Sequence, residues 1–205
     1  MADRQESRLV ELTAVMAQLR RECAWKSGQT HESLVRYLLE ETYEVVEAIE
    51  QGTDDDLREE LGDLLLQVFF HAAIAAEDGS YDIEDVAGDL IAKLRRRNPH
   101  VFDPGSTTVP ADDAVAVNEQ WEQIKALEKS REGLMDGVPE DLPALLRAVK
   151  ALERLERTGR VVEVSSDSED VGDRLLALVI ESHRAGVDPE QALRGAVRRI
   201  GSAPG

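Results

Sequence analysis

The chain has 205 residues, of which 42% are hydrophobic and only 4% aromatic, enough to build a core of one elongated helical domain or of a domain with an appendage. Asp and Glu number 42 against 24 Lys and Arg, a net charge of −18, which makes duplex nucleic acid a poor partner and repels phosphates unless a cation inverts the local field. The acidity is concentrated in residues 1–127, with 27 acidic and 12 basic side chains, a net of −15, against 15 and 12 in residues 128–205.

Alternating strand-like runs are almost absent, so the elements read as helices throughout. Leu9, Leu12, Val15, Met16 and Leu19 recur at helical spacing and predict a first helix near 6–22. Cys23 to Gln29, with Gly28, reads as a loop. Thr30 caps a second helix that runs to Gln51, with Leu34, Leu38, Val45 and Ile49 on one face. Glu41 projects into that stripe at about 100° per residue, and Glu44 lies one turn on at its edge. Gly52 ends this helix and Thr53 caps the next, whose first turn holds Asp54, Asp55 and Asp56. That third helix, ended by Gly79, repeats the pattern, with Glu60 and Asp63 beside Leu57, Leu61, Leu64 and Val68. Asp82 begins a fourth, with Ile83, Val86, Leu90, Ile91 and Leu94 inward, running to about Arg97 before Pro99.

His100 to Pro110 is a turn-rich loop. A fifth helix covers about Ala111 to Lys129 and carries Val117, Trp121 and Ile124. Gly133 to Pro139 is a connector, and Leu142, Leu145, Leu146, Val149 and Leu152 mark a sixth helix. Val161 to Ser168 is irregular, with a brief extended piece at Val161 to Val164. Two further helices follow near 169–185 and 189–200.

A repeat runs through this order. Glu59, Gly62, Asp63, Leu65 and Leu66 match Glu169, Gly172, Asp173, Leu175 and Leu176 at a constant offset of 110, and Glu60 becomes Asp170. Asp82-Ile83-Glu84 resembles Asp188-Pro189-Glu190. The second half reads as a shortened copy of the first, dividing the chain into 1–130 and 131–205. No counterpart of Glu41 and Glu44 stands upstream of the copy.

A carboxylate in a core stripe needs a compensating partner, because burying it unpaired costs several kcal/mol. The spacing of three in Glu41/Glu44 and Glu60/Asp63 sets each pair on neighbouring turns of one face. Antiparallel helices joined by Gly52-Thr53 then bring the four together as hard oxygen donors for a divalent cation such as Mg²⁺. The bland alternative is two solvated acidic faces. Gly62, which costs about 1 kcal/mol inside a helix, fits a close helix–helix approach beside the acids. Lys93 and Arg97, four apart, are candidate phosphate contacts, as are Trp121 and Lys125, a stacking surface and a cation on one face. The alternative is a core tryptophan and surface cations. Glu153, Glu156, Asp170 and Asp173 form a second, weaker acidic set. His31, His71 and His100 have no metal-ligand spacing.

The motifs Gln29-Thr30-His31, Leu39-Glu40-Glu41-x-x-Glu44, Arg58-Glu59-Glu60-Leu61-Gly62-Asp63-Leu64-Leu65, Lys93-Leu94-x-Arg96-Arg97-x-Pro99-His100-Val101-Phe102 and Trp121-Glu122-x-x-Lys125 give the chain a resemblance to the MazG family of all-α nucleoside triphosphate pyrophosphohydrolases over about 9–127. The resemblance implies an all-α domain that forms four-helix bundles on dimerisation, as a homodimer or a dimer of dimers. It implies Mg²⁺, with Mn²⁺ as a substitute, on Glu41, Glu44, Glu60 and Asp63. Glu40 stands beside that set as a further catalytic candidate, and Trp25, Lys93, Arg97, Trp121 and Lys125 meet the nucleotide. The resemblance also implies the nucleoside monophosphate and pyrophosphate as products, in the clearing of non-standard or excess nucleotides. Narrower substrates, dUTP or phosphoribosyl-ATP, and a non-catalytic acidic binding module are the alternatives. The family's Cys-Pro-Trp-Asp loop is Cys23-Ala24-Trp25-Lys26 here, which leaves the nucleoside preference open. Residues 131–205 read as a truncated, non-catalytic second repeat. The lone Cys23, the polar segment Met1 to Arg8 and the absence of an apolar run of about 18 residues lead us to expect a cytoplasmic chain with neither signal peptide nor membrane span.

Overall fold

The computed structural model describes residues 7–128 and 133–201. The polar segment before Ser7, the expected helix end at Lys129, and the division at 130/131 lie outside those residues. Every regular element among the described residues is helical. Contacts divide the chain into a unit ending at Lys125 and a second beginning at Ala126.

The first unit is organised around a helical hairpin. Helix α1 (Arg8–Glu22) leads through the single turn α2 (Ala24–Ser27) to α3 (His31–Gln51) and α4 (Asp54–Glu77). The segment expected as a loop after α1 thus contains a helical turn. Thr30 caps α3 by accepting from the Ser33 N–H, and Thr53 caps α4 by accepting from the Asp56 N–H; in both the N3 side chain reciprocates. The turn between them is tight because of Gly52, where a Cβ would lie 2.8 Å from both Cα and O of Ala48. Beyond it, α5 (Ile83–Arg97) is capped by Asp82, α6 (Pro99–Phe102) and a 3₁₀ turn at Pro104–Ser106 occupy the expected loop, and α7 (Ala114–Leu127) follows.

Met16, Leu34, Phe69, Phe70 and Ile74 form the core, joined by Leu12, Tyr37, Leu66, Ala73 and Ile83. The stripe reading of α3 holds at Leu34 and Val45, but Ile49 is 63% exposed and Ala48 takes the buried place beside the turn. On α4, Phe69 and Phe70 are buried while Leu61 and Val68 are exposed. On α5 only Ile83 joins the core, and Leu90, Ile91 and Leu94, expected inward, are exposed. Periodicity marks the apolar face of a helix but says nothing of what covers it. Gly62 also departs from expectation: a Cβ there would meet nothing within 4 Å, so no close approach in this chain requires the glycine.

The second unit packs α8 (Ala144–Arg157), α9 (Val171–Arg184) and α10 (Pro189–Gly201). Its core is Leu152, Val179 and Ile180 with Leu145, Ala148, Val149 and Leu176. Val162 and Val164 of the irregular segment also pack there without forming a strand.

Candidate functional site

Carboxylate oxygens of Glu41, Glu60 and Asp63 lie within 4.8 Å of one another, and they form the sole such acid, histidine or cysteine group found among the described residues. The α3–α4 hairpin produces this convergence, because a residue before the Gly52-Thr53 turn faces one about as far after it. The same register sets His31 against His71, with Nδ1 atoms 2.7 Å apart and the rings stacked.

Burial raises the Glu41 carboxyl above the usual carboxylate range, and Asp63, Glu44 and Glu60 push it further the same way. Glu60 is raised by desolvation first, then by Glu44, Asp63, Glu59 and Asp56. Both shifts have the same sense because burial disfavours the charged form and ionising one more group adds a like charge to a crowded site. Glu44, expected as the fourth acid of the set, is exposed and stands outside the converging group, though it is near enough to raise Glu41, and Glu40 is exposed on the same helix. Converging hard oxygen donors fit a divalent cation, whose charge would offset both the burial and the mutual repulsion of the carboxylates.

The basic and aromatic candidates group differently from their spacing. The Arg97 guanidinium sits 5.2 Å from the centroid of the half-buried Trp121 ring, joining α5 to α7. Lys125, paired by spacing with Trp121, instead donates to Glu122 at 2.9 Å. Lys93 is exposed on α5. Trp25 is half exposed on α2, edge-on to Tyr37 at 5.8 Å, with the Lys26 ammonium 5.3 Å from its ring.

The second acidic set does not converge. Glu153 pairs with Lys150 at 3.0 Å and Glu156 with His183 at 3.0 Å. Asp170, the counterpart of Glu60, is the N-cap of α9, and Asp173 accepts from the Ser168 hydroxyl at 2.9 Å. In α4 the matching positions lie well inside the helix; here they stand at a helix start, where a carboxylate satisfies backbone donors.

Two arrangements escaped sequence reasoning. One is the His31–His71 pair, whose residues stand 40 apart in the chain. The other is Arg20, which is 7% exposed and bound to Glu77. A signal for Arg20 did exist: like Glu41, it is a charge standing one turn from a core residue, Met16.

Comparison with known proteins adds to this geometry. Residues 29–102 match the model of the MazG nucleotide pyrophosphohydrolase domain. That span contains the four acids, Lys93 and Arg97, and leaves out Trp25, Trp121 and Lys125. A Thermotoga maritima protein named nucleoside triphosphate pyrophosphohydrolase/pyrophosphatase MazG is 39% identical over 215 residues, covering 93% of this chain and 81% of that one. A nucleoside triphosphate pyrophosphohydrolase of Mycobacterium tuberculosis is 43% identical over 192 residues; the alignment takes in 93% of this chain and only 55% of that protein. The crystal structure of a mazG-related protein from Thermotoga maritima aligns with a TM-score of 0.46 at 27% identity, over 58% of this chain and 96% of that one.

Proposed function

Because the chain belongs to the MazG nucleotide pyrophosphohydrolase family, we propose that it hydrolyses nucleoside triphosphates between the α- and β-phosphates, giving the monophosphate and pyrophosphate. The observation that carries this reading is the convergence of Glu41, Glu60 and Asp63. With Glu44 at their edge, these carboxylates hold Mg²⁺, for which Mn²⁺ can substitute. The ion, when bound, neutralises triphosphate charge and polarises the phosphorus under attack.

The chain's own residues do the rest. Glu40, exposed beside Glu41, orients the attacking water. Lys93 and Arg97 meet the negative charge that develops on the pyrophosphate leaving group. Trp121, with Arg97 beside its ring, and Trp25 offer aromatic faces to the nucleoside, and Lys125, held by Glu122, is a further nucleotide contact from α7. Residues 131–205 take no part in the chemistry. Among the described residues no helix is long and apolar enough to cross a membrane, and we place the activity in the cytoplasm, where it clears non-standard or excess nucleotides.

The active unit is a homodimer. Val35, Leu39 and Tyr43 of α3 and Leu61, Leu65 and Val68 of α4 leave apolar side chains exposed along the helices that carry the acids, and a second copy of the hairpin would complete a four-helix bundle over them. The test of the activity is pyrophosphate release from a panel of nucleoside triphosphates, dUTP and phosphoribosyl-ATP, with and without Mg²⁺. Metal-dependent release from several triphosphates is expected. Release from dUTP or phosphoribosyl-ATP alone would replace this reading with a narrower enzyme, and no release from any would overturn it.

A further inference from the structure

Arg20 of α1 is a buried cation with its donors directed to two places. Its Nε and Nη2 donate to the two oxygens of Glu77 at 2.7 and 2.6 Å, a bidentate fork onto the end of α4. Its Nη1 donates to the main-chain carbonyls of Lys26 and of Gln29, the latter at 3.1 Å. The guanidinium also lies 5.8 Å from the Phe70 ring. Glu77 is held below the usual carboxylate range by its hydrogen bond to Arg20, so the pair stays ionised.

The two carbonyls bracket the end of α2. A single helical turn has no cooperative stability of its own, and its last carbonyls lack helical partners. Arg20 adds its donors to the Gln29 N–H that reaches the Lys26 carbonyl at 3.2 Å, and it ties the turn to the far end of α4. That turn carries Trp25, whose edge contact is with Tyr37. Tyr37 stands four residues before Glu41 on α3, a rise of about 6 Å along the helix. The place of the Trp25 ring relative to the carboxylates therefore depends on its edge contact with Tyr37, on the Lys26 ammonium that lies 5.3 Å from both the Trp25 and the Phe70 ring, and on the fastening of α2 by Arg20.

We propose that Arg20, held by Glu77, is a positioning residue for nucleotide binding, acting through α2 to present the open face of Trp25 to the nucleoside. This rests on the reading that the chain acts on nucleoside triphosphates. Arg20 touches no substrate. Its loss shifts Trp25 without altering the carboxylates, so it weakens nucleotide binding and spares the chemical step and the metal.

The test is a double-mutant cycle on the full chain, read as steady-state pyrophosphate release. Arg20→Met and Trp25→Ala should each raise KM about tenfold, with kcat within about threefold of wild type and the half-saturating Mg²⁺ concentration unchanged. The double variant should be no worse than either single one, because both remove the same contact. Arg20→Lys, which can reach Glu77 but lacks the fork, should fall between wild type and Arg20→Met. If Arg20→Met does not fold, Glu77→Gln takes its place in the cycle, with the same expected non-additivity. KM effects that multiply in the double variant, or a loss in kcat with KM unchanged, would overturn the proposal while leaving the activity standing. A wild-type chain that releases no pyrophosphate would overturn the activity and this proposal with it.

Discussion

Replacing Glu41 by Gln removes one charge from the acid cluster and leaves its shape nearly intact. Two unit charges at the 4.8 Å limit of the Glu41–Asp63 separation repel by about 0.9 kcal/mol in water-like surroundings, and the partial exposure of Glu41 keeps the figure near that lower end. The linkage has the same sign. A carboxyl raised above its unfolded value favours the folded state at low pH, and that contribution is lost as pH rises through the folded value. At pH 7 the metal-free protein therefore carries a repulsive cost that Glu41→Gln relieves. Its melting temperature without metal should stay the same or rise by about 2–4 °C. The gain on adding Mg²⁺, about 2.7 kcal/mol for a protein at a hundredfold excess over Kd, should shrink in the variant. Metal assistance to phosphoryl chemistry is worth several kcal/mol, so pyrophosphate release should fall roughly a thousandfold or more. Scanning calorimetry with and without Mg²⁺, beside a pyrophosphate assay, reads both. Retained turnover, or an undiminished Mg²⁺-induced shift, would refute the reasoning.

Gly52→Ala should destabilise the first unit by about 1–3 kcal/mol in denaturant melts, because the added Cβ would meet the Ala48 backbone at 2.8 Å. Burial and then His31 lower the His71 imidazole from the ordinary 6.5; its stabilising contribution is complete above pH 6.5 and is lost as pH falls below it, so the melting temperature should drop between pH 7 and 5.5, and less so in His71→Asn. Asp173→Asn should leave turnover nearly unchanged and weaken only the contact with Ser168, by about 1 kcal/mol or less; a loss matching that of Asp63→Asn would make the second acidic set functional. Light scattering at micromolar concentration should give twice the chain mass, and a fully active monomer would contradict the dimer.

Helix identity and most helix ends were legible in the sequence because they depend on near neighbours. Thr30, Thr53 and Asp82 each cap a helix with help from a side chain three residues on, and a cap is a local contact that spacing reveals. The candidate acids were legible for a related reason: a carboxylate beside an apolar stripe is unusual in any fold, and the two-residue turn left the hairpin little freedom of register. Tertiary structure alone decided the rest. The spacing of Trp121 and Lys125 suggested a pair, yet Arg97 from another helix takes the ring and Glu122 takes the lysine. Arg20 and Glu77 are 57 residues apart, and their union depends on where α1 crosses the end of α4. The apolar residues of α5 follow a helical period, yet most stay exposed, and Gly62 borders open space. Periodicity is a property of one helix; burial is a property of what packs on it, and that is fixed by side-chain volumes and charges brought together from distant parts of the chain.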